Sequence, residues 1–289
     1  MFSDLNNIIE NNITDTNLDH FCAIIGSNPS KGARSPALWN KVFLAEKKQI
    51  KMLPFDVKPE NFESLFFCLQ DHPKCLGGAI AVPYKETIFT LTKDRLSKEV
   101  QSIGAINCFF RENNSLKSNF TGTNTDGEAA LDPVMKILNT QEQKSIALIG
   151  IGGAGKAVLA FLKKQFGKKH KIYLYNRSIN GNSEVLRIRD FETSISDFDL
   201  IINATSAGSS ISLDTQPFKL DYLKHAKTDC VVYDIIYDPL KTNLLVRSEE
   251  RNLTAINGLR MNLIQAVLAY KYTSRTHLSV NKIFEIMSN

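Results

Sequence analysis

The chain contains no apolar run near the ~20 residues that a bilayer-spanning helix needs. Its first residues, Met1-Phe2-Ser3-Asp4, lack the basic-then-apolar pattern of a secretory signal. Cysteine is scarce: Cys22, Cys68, Cys75, Cys108 and Cys230 are odd in number and include no CxxC pair. They point to free thiols in a reducing cytoplasm, most of them in the core, and no metal site is expected. Internal repeats and low-complexity tracts are absent. Acidic residues are slightly outnumbered, giving a formal charge of +5, but the basic residues are scattered. The longest basic cluster, Lys168-Lys169-His170-Lys171, falls between helix-like and strand-like segments and reads as a solvated turn. A nucleic-acid face needs a coherent basic stripe. The expectation is a cytoplasmic protein without membrane or nucleic-acid partners, whose mild positive bias suits small anions.

What is present is an ordinary globular composition of 289 residues, 43% apolar and 22% charged, enough for one large domain or two. Residues 21–26 (FCAIIG), 50–57 and 78–82 (GAIAV) have the apolar pattern of buried strands. Residues 36–47 and 61–69 read as the helices between them, the first opening on Pro36, where a missing N–H is harmless. Such alternation predicts a parallel sheet flanked by helices. Residues 105–110 and 116–120 flank Glu112-Asn113-Asn114-Ser115, a hairpin signal. After Asp126 the pattern restarts, with strands at 145–151 (SIALIGI), 171–175, 200–204 and 230–236, a helix at 155–166, and closing helices at 258–270 and 280–287. The predicted architecture is α/β, with two α/β domains and a cleft between them.

Gly150-Ile151-Gly152-Gly153-Ala154-Gly155 follows one of these strands and opens an amphipathic helix. This is the GxGxxG dinucleotide fingerprint in its strand–turn–helix setting. Gly150 allows the tight turn, Gly152 admits a pyrophosphate against the backbone, and Gly155 lets helix and strand pack closely. Gly153 and Ala154 complete the turn into the helix, whose N-terminal partial positive charge favours phosphate. The next strand ends in Asn176-Arg177-Ser178, without the Asp or Glu that usually holds a ribose 2′-hydroxyl. Arg177 is placed instead to pair with a 2′-phosphate, and Ser178 to add a hydrogen bond. NADP is therefore the expected cofactor; an arginine merely solvated at the strand end is the competing explanation.

Further short motifs run through the chain. Asn28-Pro29 through Arg34-Ser35-Pro36 is followed by Val82-Pro83-Tyr84-Lys85-Glu86, Gly104-Ala105-Ile106-Asn107 and Asn124-Thr125-Asp126-Gly127. After the glycine turn and Asn176-Arg177-Ser178 come Asn203-Ala204-Thr205-Ser206 and Asn257-Gly258-Leu259 with Met261 and Gln265. In this order and spacing, the chain resembles the shikimate dehydrogenase family over most of its length. The resemblance implies a substrate domain over residues 1–125, completed by residues 259–289, and a Rossmann-type dinucleotide-binding domain over residues 126–258. It implies NADP-dependent, reversible reduction of 3-dehydroshikimate to shikimate, on the chorismate route to aromatic amino acids, by a monomer or homodimer. It places the catalytic lysine on Lys85 and its partner aspartate on Asp126. It puts substrate contacts on Ser35 (carboxylate), on Asn107 and Gln265 (ring hydroxyls) and on Tyr237. Nucleotide and nicotinamide contacts fall on Asn203, Thr205, Ser206, Gly258 and Met261. The pair at 85 and 126 suits the chemistry: hydride arriving at a ketone carbon develops an alkoxide, which an ammonium can stabilise and protonate while a carboxylate fixes the lysine.

The resemblance breaks where the substrate would be held. The family's Ser two residues before Ser35 is Ala33 here, in a loop one residue longer, and its Asn-x-Thr before Val-Pro is Ala79-Ile80-Ala81. Each change removes a hydrogen bond worth ~0.5–1.5 kcal/mol, and together they amount to a factor on the order of a hundred in shikimate affinity. Quinate or another ring acid is thus the alternative substrate. Two further departures concern charge. Arg260 stands where the family often has a small residue, and either supplies a replacement anion contact or simply points to solvent. Gly181 stands where a second basic residue usually follows Asn-Arg-Ser/Thr, which keeps NAD in play. A third reading, a nucleotide-binding regulator without turnover, is opposed by the presence of both Lys85 and Asp126.

Overall fold

A computed structural model describes residues 2–15, 17–178 and 184–289. The chain divides into two compact units, Met1–Thr125 with Leu263–Asn289, and Asp126–Asn262. The first unit is built on a five-stranded sheet of β1 (His20–Gly26), β2 (Ile50–Asp56), β3 (Cys75–Ile80), β4 (Cys108–Arg111) and β5 (Phe120–Thr123), in the order β2-β1-β3-β4-β5. Alternate residues of a strand face opposite sides, and here both sides are covered. Phe21, Ala23 and Ile25 join a cluster with Phe55, Phe62, Phe66, Phe109 and Phe120. Cys22 and Ile24 join another with Trp39, Phe43, Met52 and Tyr270. Cover on both faces is why β1 reads as an unbroken apolar run. The Trp39 indole, on the helix Ser35–Ala45, donates to the carbonyl of Ala266 at 3.1 Å and so ties down the helix Leu259–Thr273.

The parallel part of this sheet ends at β3, because β4 and β5 add an antiparallel hairpin. Arg111 pairs with Phe120, so residues 112–119 form the connection in place of a tight turn at 112–115. The reason is packing: Phe109 and Phe120 must both face the aromatic cluster. The Arg111 guanidinium fixes the longer loop, donating to the carbonyls of Ser118 (2.8 Å) and Cys75 (3.1 Å) over the face of Phe120.

The second unit holds a six-stranded, all-parallel sheet of β6 (Ser145–Ile149), β7 (Lys171–Asn176), β8 (Val185–Arg187), β9 (Leu200–Asn203), β10 (Val231–Asp234) and β11 (Thr254–Ile256), in the order β11-β10-β9-β6-β7-β8. This is a Rossmann-like arrangement, with crossovers through helices such as Gly153–Phe166 and Asn243–Glu250. Its core gathers Ile149, Tyr175, Phe191, Phe198, Ile201 and Val232. One expectation needs correcting. The basic cluster at 168–171 is not wholly solvated, because His170 is buried against Phe166. Its Nδ1 accepts from the Lys144 N–H at 3.1 Å and its Nε2 lies 2.8 Å from the Leu138 carbonyl oxygen. All five cysteines are free, and only Cys68 is exposed. Burial pushes the thiols of Cys75, Cys108 and Cys230 up to about 12, which leaves them unreactive. Among the described residues no helix is long and apolar enough to cross a membrane.

Candidate active site

In the first unit the backbone brings the motif residues onto one run of hydrogen bonds. Lys85 opens the helix Lys85–Thr92 and is half-buried. The preceding residue anchors it: the Tyr84 hydroxyl donates to the Val57 carbonyl at 2.6 Å, and its ring stacks on Phe62. The Lys85 carbonyl accepts the Ile106 N–H at 2.9 Å. The next residue, Asn107, is buried and held on both sides. Its Oδ1 accepts the Thr125 N–H at 2.9 Å, and its Nδ2 donates to Thr125 Oγ1 at 2.9 Å and reaches Gln265 Oε1 at 3.5 Å. Thr125 Oγ1 also donates to the Gln265 carbonyl at 3.1 Å. Asp126 follows Thr125 in the chain and is itself buried. Asn107 and Gln265 thus meet, and Thr125, which bonds the Asn107 side chain and the Gln265 main chain, was not singled out from sequence. Its hydroxyl, between the Asn107 side chain and the Gln265 main-chain carbonyl, is a contact between distant segments, invisible to spacing.

Ser35 is buried at the start of its helix, and the loop before it is fastened by Asp56. The Asp56 carboxylate accepts the Ser30 N–H at 2.8 Å and a very short bond from the Ser30 hydroxyl. Ala79 is buried inside the cluster around Trp39 and Cys108, and Ala33 and Ala81 pack against that same cluster. The three departures from the family pattern therefore belong to one apolar cluster. Tyr237 lies in the second unit, half-buried in the loop after β10.

The glycine turn has the geometry a dinucleotide requires. Gly150 has φ +96°, and a Cβ there would come within 2.7 Å of Thr205 Cγ2. A Cβ at Gly155 would lie 2.1 Å from the Gly150 carbonyl oxygen, so neither position admits a side chain. Nothing lies within 4 Å of the corresponding point at Gly152, which leaves its backbone open to a phosphate. Gly153, Ala154 and Gly155 form the first turn of the helix Gly153–Phe166. Asn176 closes β7, with its Nδ2 donating to the Ser178 carbonyl at 2.9 Å, and Arg177 and Ser178 are exposed beyond it. Gly181 lies outside the described residues. On the neighbouring strand end, the Asn203 Oδ1 accepts both the N–H (3.0 Å) and the hydroxyl (2.7 Å) of Thr205, and Ser206 is exposed. Gly258 donates its N–H to the Ile236 carbonyl at 2.8 Å, and Met261 is buried. Arg260 is not simply solvated: it grips the Asp132 carboxylate through two nitrogens, which raises its pKa.

An open-backed glycine turn at the carboxyl edge of a parallel sheet defines a dinucleotide-binding α/β protein. Comparison with known proteins narrows that class. Residues 24–109 match the family model described as the shikimate dehydrogenase substrate binding domain. The NADP(+) shikimate dehydrogenase of Bacillus licheniformis is 30% identical over 220 residues, covering 73% of this chain and 76% of that one. That of Methanocaldococcus jannaschii is 29% identical over 281 residues, covering 91% and 93%. The crystal structure of shikimate dehydrogenase from Aquifex aeolicus superposes with a TM-score of 0.78 at 26% identity, over 96% of this chain and all of that one. The chain belongs to the shikimate dehydrogenase family.

Proposed function

We propose that this protein is an NADP-dependent oxidoreductase that interconverts 3-dehydroshikimate and shikimate. The reading assigns residues 1–125 with 259–289 to substrate binding and catalysis, and residues 126–258 to NADP. The observation that carries it is the run of hydrogen bonds that joins the Lys85 carbonyl, through Ile106 and Asn107, to Thr125, the residue before Asp126 in the chain. NADPH bound at the glycine turn supplies the hydride. Lys85 stabilises the charge developing on the substrate oxygen and gives it a proton, while Asp126 fixes the ammonium and accepts a hydrogen bond from the hydroxyl. Ser35 binds the ring carboxylate, Asn107 and Gln265 its hydroxyls, and Tyr237 closes the set. Arg177 and Ser178 take the 2′-phosphate, and Asn203, Thr205, Ser206, Gly258 and Met261 line the rest of the cofactor. The same reading makes the protein a cytoplasmic monomer or homodimer. Purified protein with 3-dehydroshikimate should consume NADPH, and no consumption with any ring acid would leave only a nucleotide-binding regulator.

Taken as one apolar wall, Ala33, Ala79 and Ala81 favour a second substrate within the same chemistry, a less hydroxylated ring acid, with quinate the other candidate. Substrate hydroxyls facing that wall lose water without gaining partners. A panel of shikimate and quinate, each with NADP and NAD, separates the two.

A further inference from the structure

The cofactor turn is backed by a buried acid that the chemistry above does not use. Asp234 ends β10 beside Asn203, the last residue of β9, and both are fully buried. Asp234 Oδ1 accepts from Asn203 Nδ2 at 3.0 Å and from the Ile236 N–H at 3.2 Å, while Oδ2 accepts from the Thr242 hydroxyl at 2.7 Å. With its Nδ2 so engaged, Asn203 must turn Oδ1 toward Thr205, where it takes the N–H and hydroxyl described above. Thr205 Oγ1 in turn accepts the Ala207 N–H at 3.2 Å. The peptide between Ala204 and Thr205 rests on Gly150, where a Cβ would stand 3.1 Å from the Thr205 nitrogen. Burying a carboxyl is costly, and Val231 and Val232 fill the same strand without one. Packing alone therefore gives no reason for an acid here.

We infer that Asp234 is a positioning residue for cofactor binding: by fixing the orientation of the Asn203 amide it sets residues 203–206, and through them the Gly150 turn that receives the pyrophosphate. The proposal rests on reading that turn as the NADP site. Without the acid, the Asn203 amide can rotate and offer Thr205 an N–H in place of an acceptor. The loop then loses two hydrogen bonds and its fixed contact with Gly150. The side chain touches no cofactor in this scheme, so its effect is on affinity.

The test is fluorescence titration of NADPH into wild type, Asp234→Ala, Asp234→Asn and Thr242→Val, with melting temperatures taken in parallel. Asp234→Ala should weaken NADPH roughly tenfold, the equivalent of one to two net hydrogen bonds. Asp234→Asn keeps an oxygen for Asn203 and for the Ile236 N–H, and the Thr242 hydroxyl can reverse to accept from the new amide. It should bind within about threefold of wild type, even where its melting temperature shifts. Thr242→Val cannot brace Oδ2 and should weaken binding by roughly threefold, which carries the test should the alanine variant fail to fold. Wild-type affinity in Asp234→Ala or, failing that, in Thr242→Val overturns the proposal. So does an equal loss in Asp234→Asn and Asp234→Ala. A wild-type protein that binds no NADPH sinks the cofactor reading instead.

Discussion

The glycine turn of the second unit and the alanine wall proposed for the first carry the family signature very differently. At the turn the constraint is on the backbone. Gly150 and Gly155 leave no room for a Cβ, so any sequence that folds this way must write glycine there. At the wall the constraint is on side-chain chemistry. There Ala33, Ala79 and Ala81 stand in one apolar cluster where the family pattern has hydrogen-bonding side chains. A fold can thus preserve where a ligand binds while changing which ligand it prefers, because the first is set by sterics and the second by a few hydrogen bonds.

The largest effect that sharpens this contrast belongs to Lys85. Lys85→Ala should lower kcat more than ~100-fold, the scale of a lost general acid, and leave NADPH affinity unchanged. Pre-steady-state and titration measurements on one preparation decide it; a variant retaining most of its kcat means the proton comes from elsewhere. Next is Arg177→Ala on the cofactor side. Losing a charge-assisted contact to the 2′-phosphate should weaken NADPH roughly tenfold or more and leave NADH nearly unaffected. Equal losses for both nucleotides would show Arg177 acting elsewhere.

A smaller effect concerns stability. Burial pushes the Asp234 carboxyl up to about 6, against hydrogen bonds from Thr242, Ile236 and Asn203 that pull it down. In the unfolded chain the same group ionises near ~3.9. The folded state holds the proton more tightly, so this residue's contribution is fully present below about pH 4 and is lost as pH rises through about 6. Asp234→Asn removes that titration. Its stability relative to wild type should therefore rise by on the order of 2 kcal/mol between pH 4 and pH 7, read from denaturant midpoints at the two pH values. A flat difference would show that the acid is ionised at no cost.

Much of this was legible from sequence, for identifiable reasons. β1 and β6 are buried on both faces and read as apolar runs; the turn between β6 and its helix is dictated by glycine. β8 and β11 went unread because three-residue edge strands such as Val185–Arg187 and Thr254–Ile256 carry almost no periodicity. The hairpin was placed too tightly, since Glu112-Asn113-Asn114-Ser115 has turn chemistry but the register answers to Phe120. Asp234 and Thr242 were missed as a pair because nothing in VVYD or KTN announces that they meet. One signal was available: Thr242 precedes the helix Asn243–Glu250 as its cap, accepting from the Leu245 N–H at 3.4 Å.

The smallest effect bears most directly on the substrate wall. Ala79 sits within the apolar cluster and pairs with Ile24 and Cys108, so an asparagine there must bury an amide among alkyl groups and is expected to cost stability. Ala33 and Ala81 are only half-buried against the same cluster, where a hydroxyl can be added at less cost. The Ala33→Ser and Ala81→Thr double variant should therefore raise kcat/KM for shikimate by several-fold, about one neutral hydrogen bond's worth, with little change for a less hydroxylated ring acid. Steady-state kinetics on both substrates give the ratio directly. If wild type already oxidises shikimate efficiently and the double variant gains nothing, the wall does not face the ring hydroxyls, and substrate preference must be set by the Asn107–Thr125–Gln265 group instead.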